Sequence, residues 1–186
     1  MGRTINLAAR GFKLATVVIE PKEKVMQKIT SCEVCGNENL FSVLQLGNHP
    51  LCDDLVPLGD NRICKEHPIE ILFCDTCFTA HQRFQVPKED LFPKHYHYRA
   101  RITGSVLSGM ADLVASCESK YGPLAGKTVL DIGCNDGSLL DAFKVKGAKT
   151  LGVEPTGAAA DSSHETINGF FDESACKYIQ TRTQSI

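Results

Sequence analysis

Apolar and polar positions fall into short runs, each closed by glycine, proline or asparagine. Phe41-Ser42-Val43-Leu44-Gln45-Leu46 predicts a strand ended by Gly47-Asn48. Pro68-Ile69-Glu70-Ile71-Leu72-Phe73 predicts a second strand that runs into a cysteine pair. Beyond residue 90 the period changes. An aromatic stretch from Phe92 to Tyr98 is followed by Val106, Leu107, Met110, Leu113 and Val114 at helical spacing, and Tyr121-Gly122-Pro123 ends that helix. From Lys127 the pattern is that of a βαβ unit: strand Thr128 to Ile132, glycine turn Gly133 to Gly137, and helix Ser138 to Lys146. Gly147 then closes the helix and the next strand runs from Thr150 to Glu154. Thr166 to Phe171 predicts a third strand and Glu173 to Gln180 a short helix.

These patterns divide the chain into an extension (1–30), a turn-rich cysteine block (31–90), a linker with its helix (91–126) and an α/β portion (127–186). The extension carries Arg3, Arg10 and Lys13 and no acid before Glu20. Three readings are open for it: a transit peptide, a strand over the β-branched stretch Leu14 to Ile19, or an upstream extension before a start at Met26. The third is favoured.

Composition narrows the class. The 186 residues are 42% hydrophobic and 23% charged, enough apolar matter for a core. Twenty basic against 22 acidic residues give a net charge of −2, which argues against a protein held on nucleic acid by overall charge. No apolar run is long enough to span a membrane. Nine cysteines are an odd count, and no secretory signal precedes them. The expectation is therefore a cytoplasmic, reducing compartment in which cysteines bind metal or react.

Cys32-Glu33-Val34-Cys35 and Cys74-Asp75-Thr76-Cys77 are two C-x-x-C knuckles. The two-residue spacer lets both thiolates of a knuckle reach one ion, and four soft ligands suit tetrahedral zinc. Such a site is closed, so its role is folding. The small block around it has little core and gains from a staple. Two redox pairs are the alternative. Cys52, Cys64, Cys117, Cys134 and Cys176 have no such partner and read as small buried hydrophobes. His49, His67 and His81 flank the block, and four cysteines already suffice. The knuckles also lack the basic surround of a nucleic-acid binder, with Glu33, Asp53, Asp54 and Asp75 nearby.

Asp131-Ile132-Gly133-Cys134-Asn135-Asp136-Gly137 follows a strand and opens a helix. Glycine lets a ligand approach the backbone, and the helix N-terminus favours a carboxylate or phosphate. Glu154 ends the following strand, where a carboxylate can accept both hydroxyls of an adenosine ribose. The combination points to S-adenosylmethionine. A nucleotide dehydrogenase matches less well, because G-x-G-x-x-G is absent. Ordinary solvation of strand ends is the bland alternative for Asp131 and Glu154.

The order of parts resembles a known family over roughly residues 31–172. The carriers are the C-x-x-C-G knuckle, Leu46-Gly47-Asn48-His49-Pro50-Leu51, the second knuckle with Gln82, Tyr96-His97-Tyr98, the Asn-Asp-Gly turn and Gly152-Val153-Glu154-Pro155. The chain resembles the zinc-containing S-adenosylmethionine-dependent C-methyltransferases that act on nucleotide-linked keto-sugars in deoxysugar biosynthesis. The resemblance implies an α/β fold: a small N-terminal zinc-binding domain followed by a Rossmann-like class I methyltransferase domain, here incomplete. It assigns Cys32, Cys35, Cys74 and Cys77 to structural zinc. It assigns Asp131, Gly133, Asn135, Asp136, Gly137 and Glu154 to the cofactor S-adenosyl-L-methionine. Tyr96 and Tyr98 match a tyrosine pair on the substrate side, with an aromatic packing stripe as the equal alternative.

Two places depart from that pattern. Arg99, Ala100 and Arg101 stand where serines usually follow the tyrosines, and Asp53 replaces an asparagine. Methylating carbon next to a ketone needs a base, a stabilised enolate and in-line attack. The family's histidine base lies in a motif beyond Ile186, so no catalytic base is named. The 59 residues from Thr128 leave room for about three strands. The expectation is an N-terminal portion with a small-molecule substrate, no nucleic-acid or membrane partner, and a partner chain covering the incomplete sheet. The alternative is a non-catalytic zinc- and cofactor-binding module that needs a separate catalytic half.

Overall fold

The computed structural model describes residues 26–183. The strand expected at 14–19, and the transit-peptide and extension readings, lie outside the described residues. The fold is mixed α/β, with eight strands and four α-helices among those residues.

The N-terminal portion is antiparallel. Strands β1 (Gln27–Lys28), β2 (Phe41–Pro50), β3 (Glu66–Cys74), β4 (Thr79–Gln82) and β5 (Phe84–Gln85) form two small sheets, ordered β1-β5 and β2-β3-β4. Strand β2 runs four residues past its expected end at Leu46. Gly47 takes a positive φ of 80° within the strand, and two register shifts against β3 absorb the irregularity, so glycine bends this strand instead of ending it. Strand β4 was not expected from its polar Thr-Ala-His-Gln sequence. It forms because the second cysteine knuckle folds the chain back and pairs Thr79 with Cys74.

A short helix α1 (Lys88–Leu91) leads into the aromatic stretch, and α2 (Gly104–Tyr121) follows. The helix ends at Gly122, whose φ is 76°, as the Tyr-Gly-Pro signal predicts. Of the five apolar residues expected on its inner face, Val114 is buried, Val106 and Met110 are half-buried, and Leu107 and Leu113 stay exposed.

The C-terminal portion is a parallel sheet ordered β6-β7-β8: β6 (Thr128–Ile132), helix α3 (Ser138–Val145), β7 (Lys149–Val153), β8 (Glu165–Ile167) and helix α4 (Glu173–Arg182). Successive side chains of β6 point to opposite faces. Val129 packs with Val114, Leu124, Phe143 and Ala148 beneath α2 and α3. Leu130 packs with Leu151, Val153, Ile167 and Ile179 beneath α4. Asp172 starts α4 by accepting from the Ala175 amide at 2.9 Å. Strand β8 stops at Ile167, short of the expected Phe171. Asn168 turns aside there, and its side-chain amide donates to the carbonyls of Glu154 and Thr156 at 2.9 and 2.7 Å. Among the described residues no helix is long and apolar enough to cross a membrane.

Candidate zinc centre and cofactor cleft

The first knuckle is a tight turn: the Gly36 amide donates to Cys32 O at 2.8 Å, and the Cys32 amide donates to Asn37 O at 2.8 Å. The second is the β3–β4 hairpin itself. Together they bring the sulfurs of Cys32, Cys35, Cys74 and Cys77 within 4.8 Å of one another. Cys32 and Cys77 are 3.5 Å apart, and Cys35 and Cys74 are 3.6 Å apart. A tetrahedron with Zn–S bonds of about 2.3 Å has sulfur separations of about 3.8 Å, so the four thiols fit zinc.

Outer partners hold the sulfurs in place. His81 Nε2 lies 3.2 Å from Cys32 Sγ, Asn37 Nδ2 donates to Cys74 Sγ at 3.5 Å, and Thr79 Oγ1 lies 3.2 Å from Cys77 Sγ. The Asn37 hydrogen bond leads in bringing Cys74 down to about 6, and Thr79 leads in lowering Cys77. Cys35 goes the other way. The Asn37 backbone amide favours its thiolate, but burial and the neighbouring sulfurs push it up to about 12. Four thiols this close cannot all shed protons unless a cation joins them.

The flanking histidines take other roles: His49 bonds Leu46 O at 2.8 Å, and His67 and His81 are buried. Among the remaining cysteines, Cys134 is buried and Cys117 packs against the core, as expected. Cys52 is exposed, which corrects its reading as a buried hydrophobe. It sits on the loop after β2, which the sheet does not cover.

A cavity of about 400 Å³ opens at the C-terminal ends of β6 and β7. Its lining includes Tyr96, Tyr98, Gly133, Asn135 and Glu154 from the expected set, joined by Phe170, Phe171 and Lys88. Glu154 is 4% exposed. Its Oε2 accepts from the Asn135 amide at 2.9 Å and its Oε1 from the Thr156 amide at 2.8 Å. Each oxygen keeps a lone pair for a further donor. Gly133 has a φ of 81°, and a Cβ there would meet no protein atom within 4 Å. These features suit a ligand that carries neighbouring hydroxyls and lies against bare backbone.

Three residues assigned to the turn do not line this cavity. Asp136 is 1% exposed, with both oxygens taken by protein. Oδ1 accepts from Ser138 N at 3.2 Å and Ser138 Oγ at 2.6 Å, and Oδ2 accepts from Arg101 N at 3.0 Å and Arg101 Nε at 2.9 Å. Asp136 therefore builds the turn. Gly137, with a φ of 81°, would place a Cβ 2.7 Å from Ser162 Oγ, so its glycine is a close-packing requirement. Asp131 is raised by burial, with the Glu154 charge adding to the effect. The same surroundings push Cys134 up to about 11, burial first and then Asp131 and Glu154.

Lys88, Phe170 and Phe171 line the cavity without having been expected there. The two phenylalanines read as the end of a strand and instead turn into the cavity wall. Lys88 Nζ sits 4.3 Å over the Phe170 ring. A signal was present in Asn168-Gly169, a turn pair placed inside the expected strand.

Fold and site together define a mixed α/β protein with a zinc-binding cysteine cluster. Comparison with known proteins sharpens this. Residues 32–92 match the zinc binding domain of the Methyltransf_13 family model. The chain is 30% identical over 167 residues to the C-methyltransferase NovU of Streptomyces niveus, a match covering 86% of this chain and 39% of that protein. The chain is thus similar to a zinc-binding domain over 32–92 and to a C-methyltransferase over most of its own length, and it spans about two fifths of that relative's length.

Proposed function

We propose that the chain belongs to an S-adenosylmethionine-dependent methyltransferase that C-methylates a nucleotide-linked keto-sugar, and that it works in the cytoplasm. The cavity carries this reading. It lies at the C-terminal ends of parallel strands, with an acid after the second strand and a glycine turn opening a helix. Ligands of open α/β sheets bind in that position.

The C-terminal portion is read as Rossmann-like. Glu154 would accept the ribose hydroxyls, and Gly133 and Asn135 would line the backbone side. When bound, the cofactor supplies an activated methyl group. Tyr96 and Tyr98 line the cavity and would border the substrate. Zinc held by Cys32, Cys35, Cys74 and Cys77 would keep the N-terminal zinc-binding domain folded.

The second reading is a zinc- and cofactor-binding module completed by a separate catalytic half. It is favoured by β6, whose outer edge pairs with no strand among the described residues. A partner chain adding a strand there would complete the sheet.

Calorimetry of the zinc-loaded chain with S-adenosylhomocysteine tests the cofactor site. Saturable binding is expected, weakened about tenfold or more by Glu154→Ala, because hydrogen bonds to a charged group are lost. No binding to folded, zinc-loaded protein would overturn the reading.

A further inference from the structure

Tyr96, His97 and Tyr98 form one short segment, and it is gripped from two sides. On the side of the zinc domain stands Asp53, in the loop after β2. Its carboxylate accepts from the His97 amide at 3.3 Å and sits 3.2 Å from His97 Nδ1. On the side of the α/β portion stands Arg99. Its Nη1 donates to Tyr96 O at 2.7 Å and Tyr98 O at 2.9 Å, so one guanidinium gathers the carbonyls of both tyrosines. The same side chain is anchored by Nε to Asp161 Oδ2 at 2.6 Å.

The glycine turn closes the clamp. Asn135 Nδ2 donates to Tyr98 O at 3.1 Å, and Asn135 Oδ1 accepts from the Ala100 amide at 3.0 Å. Arg101 Nη2 donates to Asp136 O at 3.1 Å and Asp161 O at 2.7 Å. Asn135 reaches this position in a left-handed conformation, with a φ of 51°. The backbone that carries the tyrosines and the turn that lines the cavity are therefore bonded as one piece.

From this geometry we infer that Arg99 and Asp53 are positioning residues for the tyrosine pair. Arg99 sets the pair against the cofactor turn, and Asp53 fixes the same segment to the zinc domain. The tyrosines thus report on both domains, and occupancy of the turn is felt at the tyrosines. The last consequence rests on the cavity being the cofactor site; the positioning itself does not. Arginine suits this role because its planar fork spreads donors from Nε to Nη1 and so reaches a carboxylate on one side and two carbonyls on the other, whereas lysine gathers its donors on a single nitrogen.

The chain has four tyrosines and no tryptophan. Fluorotyrosine labelling followed by ¹⁹F NMR therefore gives four signals, with Tyr121 and Tyr178 as internal references away from the clamp. In Arg99→Ala and Asp53→Ala the Tyr96 and Tyr98 signals are expected to move and broaden while the references hold. Arg99→Lys should restore the signals only in part. If removing either anchor unsettles the whole fold, the references will move as well. Asp161→Ala, which removes only the exposed anchor of Arg99, then decides. Wild-type Tyr96 and Tyr98 signals in these variants would overturn the proposal.

Addition of S-adenosylhomocysteine provides the second arm. The wild-type Tyr98 signal is expected to shift. In Arg99→Ala the dissociation constant is expected to rise about tenfold, because the competent arrangement becomes a minor population. Unchanged affinity together with an unchanged shift would overturn the coupling. If the wild type binds no S-adenosylhomocysteine, the cofactor reading fails, and the unliganded signals still decide whether Arg99 and Asp53 position the pair.

Discussion

The zinc domain and the α/β portion are close in size and held together by different means. In the block around the knuckles, the buried apolar side chains are Leu72 and the ligand cysteines Cys32 and Cys74, and all ten residues of β2 are exposed. The α/β portion buries Leu140, Phe143, Leu151, Val153 and Ile179, with layers on both faces of its sheet. One region is organised around sulfur and the other around hydrocarbon. A small antiparallel block cannot remove enough apolar surface from water to order itself, and a metal ion supplies the difference.

The strongest way to break this contrast is to remove the metal. Structural zinc sites contribute on the order of 10 kcal/mol of folding free energy, so a strong chelator should unfold β2 to β4 and leave the α/β portion folded. Hydrogen exchange resolved along the chain would show this. Protected amides in β3 after zinc has gone would mean that the block does have a core of its own.

The reciprocal change is Leu151→Ala. Leu151 is 4% exposed in the cluster beneath α4, and its truncation should cost about 3 kcal/mol. Urea unfolding should register that loss with zinc content unchanged. Parallel loss of zinc would show that the two regions unfold together.

The smallest effect sharpens the comparison at the turn. Burial opposes the Asp136 charge, but hydrogen bonds from Ser138 and Arg101 outweigh it and hold the carboxyl below its ordinary range. The stability this adds is complete above the unfolded carboxylate pKa of about 4, and it fades as pH falls through the lower folded value. Asp136→Asn should lower the melting temperature by about 5 °C at neutral pH and flatten its fall in acid. An acid limb identical to the wild type would sink this assignment.

What the sequence disclosed follows the range of the forces involved. Strand β6, helix α3 and strand β7 were legible within one residue, because alternation, a glycine turn and a glycine stop act on neighbours. The four thiols were legible because knuckle spacing is also local. Glu154, Gly133 and Asn135 were placed at one site, and the structure brings them together around the cavity. Strand β4 was not legible, since its residues carry no alternation and its partner is chosen by the knuckle. Nor was the hold of Arg99 and Arg101 on Asp161, which joins residues about 60 positions apart. Asp136 looked like a ligand-facing acid, and only its arginine partner reveals that its oxygens are spent on the fold.

Strand β2 has one further consequence. Ten residues long and, among the described residues, at the rim of its sheet, it resembles a template onto which a foreign strand can zip. Phe41, Val43, Leu44 and Leu46 would even reward such a visitor with greasy contacts. The two slips in its ladder, between Ser42 and Leu44 and between Gln45 and Gly47, spoil the spacing that a straight intruder needs. The same kinks that let the strand pass through Gly47 thus act as a guard against stacking into fibres.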